Sequence, residues 1–193
     1  LPSCPQRLVS ISPVLNDEVT ILKAAAEPPP DALAIIRTIE EAFGGVRRGN
    51  GVTLHEADAM DDGATGETLI RARAKDTDRR WQDVSSEAME RMYSALAFLD
   101  AEGFSYYIPA YMRWTLGHYA NSRSMTVDNT IYSLWPNALG GEARYALLTA
   151  AQKRCIAQFL WFMATQAGEE LVDAYAATRA LEDTWYPHLE SDG

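Results

Sequence analysis

His55, Asp58 and Asp62, in the stretch HEADAMDD, stand at i, i+3 and i+7, so a helix there places an imidazole and two carboxylates on one face. Glu56 and Asp61 flank them. Such a face is half of what a metal site in a helical bundle needs, a second helix supplying the remaining ligands, and an oxygen-rich set of this kind favours a hard divalent cation. Asp76, Asp78 and Asp83 are the nearest carboxylates in sequence to complete it. A structural reading competes. Asp61 and Asp62 precede Gly63 and suit the polar end of a helix, Asp58 can pair with Arg71 or Arg73, and the two-helix ligand pattern that marks bundle metal sites is not found. No cofactor is predicted, and a divalent cation stays open as the alternative.

A second group is aromatic. Tyr106, Tyr107, Tyr111 and Trp114 lie in GFSYYIPAYMRWTLGH, residues 103–118, the densest aromatic stretch of the chain. They can line a groove for a peptide or planar ligand, or fill a core, with a hydroxyl reaching the surface. His118 and His188 read as capping or surface residues, and Cys155 as a buried thiol on an apolar helical face. The sequence contains no nucleophile elbow, phosphate loop or dinucleotide fingerprint.

The 17 Lys and Arg against 27 Asp and Glu give a formal charge of −10, which argues against nucleic acid and anionic membranes and suits a basic protein partner. Lys153 and Arg154 interrupt the longest apolar run, so no membrane span is predicted, and a cytoplasmic location is expected.

Helices must position these groups. Residues 1–30 read as a proline-containing extension with a short helix over 16–26, closed by Pro28, Pro29 and Pro30. Asp31 is expected to cap a helix ending at Gly44 and Gly45, and Thr53 with Glu56 forms a capping box opening a helix over 54–62. Helices are further expected over 67–75 and 87–99. Phe104 to Ile108 read as an extended passage broken at Ile108, with Pro109 starting a helix to about Tyr119. Residues 120–143 read as a long connection with a turn or two of helix around 128–134. Thr149 and Gln152 make a second capping box for a long central helix ending near Gly168, and a last helix spans 169–185, with Val172, Tyr175, Leu181 and Trp185 as contacts. The expected fold is all-α: one domain over 31–187 with about six to eight helices, then a tail over 188–193.

GVTLHEADAMDD, DRRWQDV, LAFLDAEGFSYYIPAYM and LTAAQKRCIAQFLWFM, in this order, resemble a bacterial family of small proteins of unknown function. The resemblance covers roughly residues 33–185. It implies a mainly helical intracellular protein and marks Asp62, Trp81, Gly103, Phe104, Tyr107, Pro109, Ala110, Gln152 and Phe159 as family positions, without assigning roles.

The expected function is a non-catalytic protein-binding module, of immunity or accessory type, with an acidic surface. The alternatives are a metal-dependent hydrolase using His55, Asp58 and Asp62, and a helical subunit of a homo-oligomer with the aromatic stretch as interface.

Overall fold

The structure is a computed structural model describing residues 30–136 and 141–189, and every regular element among them is helical. Eight α-helices are described: α1 Pro30–Phe43, α2 Leu54–Asp61, α3 Glu67–Arg73, α4 Ser86–Arg91, α5 Ala101–His118, α6 Thr126–Ser133, α7 Ala150–Thr165 and α8 Ala174–Ala180. Short 3₁₀ turns at Trp81–Asp83, Ala95–Ala97, Glu142–Tyr145 and Tyr186–His188, and a π turn at Leu181–Trp185, join or extend them. The helix expected over 16–26 lies outside the described residues.

The two long helices supply most of one core. Helix α1 packs on both α5 and α7, α6 lies between α5 and α8, and α2 pairs with α3 to one side. Ile39 and Phe43 of α1 are buried, Ile35, Ile36 and Ala42 pack against the core edge, and Trp81 closes the end of α1 by donating its indole N–H to the Phe43 carbonyl at 2.9 Å. Pro30, rather than a capping Asp31, starts α1; Asp31 sits in the first turn, where a carboxylate meets the positive end of the helix.

Helix α5 departs from the expected break at Ile108. It is one helix of 18 residues with Pro109 inside it, capped by Asp100, whose side chain accepts from the Gly103 N–H at 2.8 Å. A proline in a helix interior removes one hydrogen bond and costs about 3 kcal/mol. Burial outweighs it. Thirteen of the 18 residues are buried, and burying each of Phe104, Tyr106, Tyr107, Ile108 and Tyr111 contributes about 1.5–3 kcal/mol.

The helix expected over 87–99 is broken instead: α4 ends at Arg91, and a 3₁₀ turn follows at Ala95–Ala97. Side chains from elsewhere occupy the carbonyls that a continuing helix would use. Thr126 donates to the Met89 carbonyl at 3.1 Å, Tyr111 to Met92 at 2.7 Å, and Arg144 to Leu96 at 3.2 Å. Ser85 caps α4, its hydroxyl accepting from the Ala88 N–H at 3.1 Å.

In the C-terminal half, Thr149 and Gln152 form the predicted capping box of α7. The last helix begins at Ala174 rather than Glu169, because Asp173 accepts from the Ala176 N–H at 2.9 Å and fixes the start there. Val172, Leu181 and Trp185 are buried, whereas Tyr175 is exposed.

Residues 51–52 cross the start of α5 backbone to backbone. A Cβ on Gly103 would strike the Val52 carbonyl oxygen, and one on Gly51 would strike the Gly103 amide and Glu102. Polar groups lock the crossing: Asp100 Oδ1 also accepts from Val52 N–H at 2.9 Å, and Glu102 accepts from Asn50 N–H at 3.0 Å. Gly51→Ala and Gly103→Ala are therefore each expected to lower stability by about 1–3 kcal/mol in a denaturant titration. Gly117→Ala, in the same helix but with open space around its Cβ, is expected to raise it by about 0.5–1 kcal/mol.

Candidate functional site

The crossing delivers Arg48 to the top of α5. Arg48 Nη1 donates to the Tyr107 hydroxyl at 3.0 Å and to Asp78 Oδ1 at 3.4 Å, and Nη2 donates to the Asp76 carbonyl at 3.1 Å. The Tyr106 hydroxyl donates to the other Asp78 oxygen at 2.7 Å. Tyr106 and Tyr107 meet edge to face, with ring centres 4.8 Å apart. One arginine thus gathers two neighbouring tyrosines and the loop after α3 into a single network.

Asp76, in that loop, faces the first turn of α2. It accepts from the His55 backbone N–H at 2.9 Å and from the His55 ring, Nδ1, at 2.8 Å, so the carboxylate serves as a counter-charge at the positive end of the helix and orients the imidazole. The other ring nitrogen, Nε2, lies 3.1 Å from Arg91 Nη2. An arginine can only donate, so Nε2 accepts and the ring proton is on Nδ1, towards Asp76. A His–Asp pair of this shape has the makings of a general base, but Arg91 holds the lone pair that would take the proton.

This network floors a cleft of about 510 Å³ lined by His55, Lys75, Asp76, Asp78, Arg79 and Ser85, among others. Its polar floor is largely paired. Asp76 and Asp78 are engaged as described, the Ser85 hydroxyl caps α4, and Asp83 forms an ion pair with Arg80 at 2.7 Å.

Of the residues marked by spacing, the structure keeps Asp58 and Asp62 near each other at the end of α2 and gives His55 to Asp76 and Arg91. Among the described residues no three His, Cys, Asp or Glu side chains are gathered as a metal ion would require, so His55, Asp58 and Asp62 do not form such a group. Asp58 pairs with neither Arg71 nor Arg73. Arg73 binds Glu56 at 2.6 Å and the Asn50 carbonyl at 2.8 Å, and Arg71 approaches Glu67 at 3.9 Å. Burial first, then the Asp62 charge, pushes the Asp58 carboxyl above the ordinary carboxylate value, with Arg91 and His55 opposing and Asp61 adding to it.

The aromatic candidates are core. Tyr106, Tyr107 and Tyr111 are fully buried and Trp114 nearly so, which leaves no aromatic groove or interface on this stretch. Trp114 stacks on His118 with ring centres 4.5 Å apart, while His118 Nδ1 bonds the Trp114 carbonyl. Residues 120–134 likewise build the fold: Thr130, donating to the Thr126 carbonyl, and Thr115, donating to Thr130, tie α6 to α5, and Tyr145 and Trp185 donate to the Ser133 and Leu134 carbonyls. Sequence spacing did not disclose Arg48 or the pairing of His55 with Asp76. Arg48 lies in RRGNG, residues 47–51, whose glycines indicate a turn and nothing about the arginine's partners.

The model of DUF6714, described as a family of unknown function, matches residues 31–189 of the chain. No curated protein and no solved structure matches it. No helix among the described residues is long and apolar enough to cross a membrane.

Burial raises the hydroxyl pKa of all three tyrosines, hydrogen bonding to Asp78 adding to the effect at Tyr106 and the Arg48 bond opposing it at Tyr107. A phenol whose folded pKa is raised contributes stability that is present below the unfolded value of about 10 and is lost as pH rises above it. In an alkaline titration Tyr106, Tyr107 and Tyr111 are expected to form no tyrosinate until the protein unfolds, with tyrosinate absorbance and helical circular dichroism changing together. Tyrosinate formation at those three with helicity intact, read by single Tyr→Phe variants, would contradict the sealed network.

Proposed function

The chain belongs to the DUF6714 family, and we propose that it serves as a binding module whose acidic face, at the end of α2 and beside the segment after α4, takes a basic protein partner. The observation that carries this reading is the crowding of Asp58, Asp61 and Asp62. Asp58 is held above its ordinary value first by burial and then by repulsion from the Asp62 charge, with Asp61 adding to it and Arg91 and His55 opposing. A partner's lysine or arginine relieves that repulsion. Tyr93, 41 % exposed, precedes Ser94, whose hydroxyl donates to Asp61 at 2.7 Å, and so an aromatic contact stands at the edge of the same face. The net charge of −10 favours the encounter at long range.

A binding role, rather than a catalytic one, is supported by how the reactive groups are used. His55 is held at both ring nitrogens, Ser85 caps a helix, and burial pushes the Cys155 thiol up to about 12.

Affinity for a lysine- and arginine-rich peptide, measured by calorimetry, is expected to weaken about tenfold between low salt and a few tenths molar, and further in the Asp58→Asn, Asp62→Asn double variant. Salt-insensitive binding, or an unchanged double variant, would overturn the reading. The same crowding has a cost in stability. A carboxyl with a raised folded pKa favours the folded state at low pH, and that advantage is lost as pH rises through its titration. Asp58→Asn is thus expected to raise Tm by about 1–3 °C at neutral pH, with the gain shrinking as pH falls through the carboxylate range.

A further inference from the structure

Arg144 is 5 % exposed although it carries a full charge. It sits in the 3₁₀ turn Glu142–Tyr145, where Nη1 donates to the Leu96 carbonyl at 3.2 Å and the guanidinium lies 5.6 Å from the centre of the Phe104 ring. Its Nε is buried and has no hydrogen-bond partner. Arg48, Arg73 and Arg80 are each answered by a carboxylate. Around Arg144 the balance is different: burial pulls the guanidinium below its ordinary value, the only opposing influence is Tyr145, and no carboxylate contributes. A buried cation without a counter-ion is among the more costly arrangements a fold can hold, and a bound anion relieves it.

The side chain lines a cleft of about 390 Å³ with Ala97, Phe98, Asp100, Ala101 and Ala143. Ala101 is the first residue of α5, so the positive end of an 18-residue helix borders the same space. Nη1 is taken by Leu96 and Nε is enclosed, so Nη2 is the guanidinium nitrogen left to donate to a ligand's carboxylate. The remaining walls are short apolar side chains and the half-buried Phe98 ring. Asp100 is the one acidic wall. Its Oδ1 is taken by two backbone amides, and its charge disfavours a dianion.

We infer that this cleft is a binding site for a small monocarboxylic acid, whose carboxylate accepts from Arg144 Nη2 while a short apolar tail lies against Phe98 and the alanines. The site is separate from the acidic face and stands or falls independently of it.

The test is a titration of the full ¹⁵N-labelled chain, following the Arg144 Nε–H and the Ala101 to Phe104 amide signals by NMR. The probes are sodium butyrate, sodium phosphate and sodium chloride at matched pH and ionic strength. Butyrate is expected to shift these signals saturably, phosphate more weakly, and chloride without saturation. Arg144→Lys keeps a positive charge but has a shorter reach and no Nη2 donor, and is expected to weaken butyrate binding at least roughly tenfold. Absence of saturation with butyrate, tighter binding of phosphate than of butyrate, or unchanged affinity in a folded Arg144→Lys variant each overturns the assignment. Should that variant not fold, the titration of the unsubstituted protein decides by itself.

Discussion

The contact on which the rest depends is the crossing of residues 51–52 over the first turn of α5. Two glycines let the backbones touch, and a single carboxylate oxygen of Asp100 holds both sides, accepting from Val52 and Gly103 amides at 2.9 and 2.8 Å. This fixes α5 at its N-terminus and α2 through Thr53, whose N–H is accepted by Glu56 in the reciprocal half of a capping box. It also fixes the reach of Arg48, three residues before Gly51, into the Tyr106, Tyr107 and Asp78 network. A wider crossing would separate the loop of residues 46–53 from α5 and leave the buried phenols and Asp78 without the partners they now have.

Among the described residues, the polar interior then divides into arginines that have a carboxylate partner and Arg144, which has none. Arg48 sits among an acid, a carbonyl and a hydroxyl, and Arg113 pairs with Glu40 at 2.8 Å while covering the Trp81 ring at 5.0 Å. Both hold separate segments together, and removing a partner from such a pair costs more than the pair itself contributes. Arg144 joins the broken segment after α4 to the turn before α7 through one carbonyl and one aromatic face. Its geometry serves the fold, and its charge is surplus to that task.

What could be read from the sequence was the local part. The Thr149–Gln152 capping box, the Glu56 half of the Thr53 box, the glycine stop after α1 and the burial of Cys155 follow from residues within a turn of one another, and the all-α fold follows from summing such signals. Pro109 shows where that reasoning stops. Its local preference favours a break, and only the burial of the rings around it, a property of the assembled core, reverses the preference by several kcal/mol. The segment 87–99 fails in the opposite sense: its apolar spacing is helical, but side chains from three later segments take its carbonyls.

The same limit applies to the site. Helical spacing placed His55, Asp58 and Asp62 on one element correctly, yet spacing says nothing of what an element faces. His55 meets Asp76, 21 residues away, and Arg91, 36 away, and these long-range partners turn a set of metal-ligating residue types into a hydrogen-bonded helix start. Half-buried Asp58 keeps the repulsion of Asp62, which Arg91 and His55 oppose without cancelling the rise in its pKa. Function in a fold of this kind is therefore better sought in the charges that the long-range contacts leave unanswered than in the residues whose spacing is most suggestive. By that criterion the acidic end of α2, which Arg91 and His55 offset only in part, and the guanidinium of Arg144, without a carboxylate partner among the described residues, are where a partner and a ligand have most to gain.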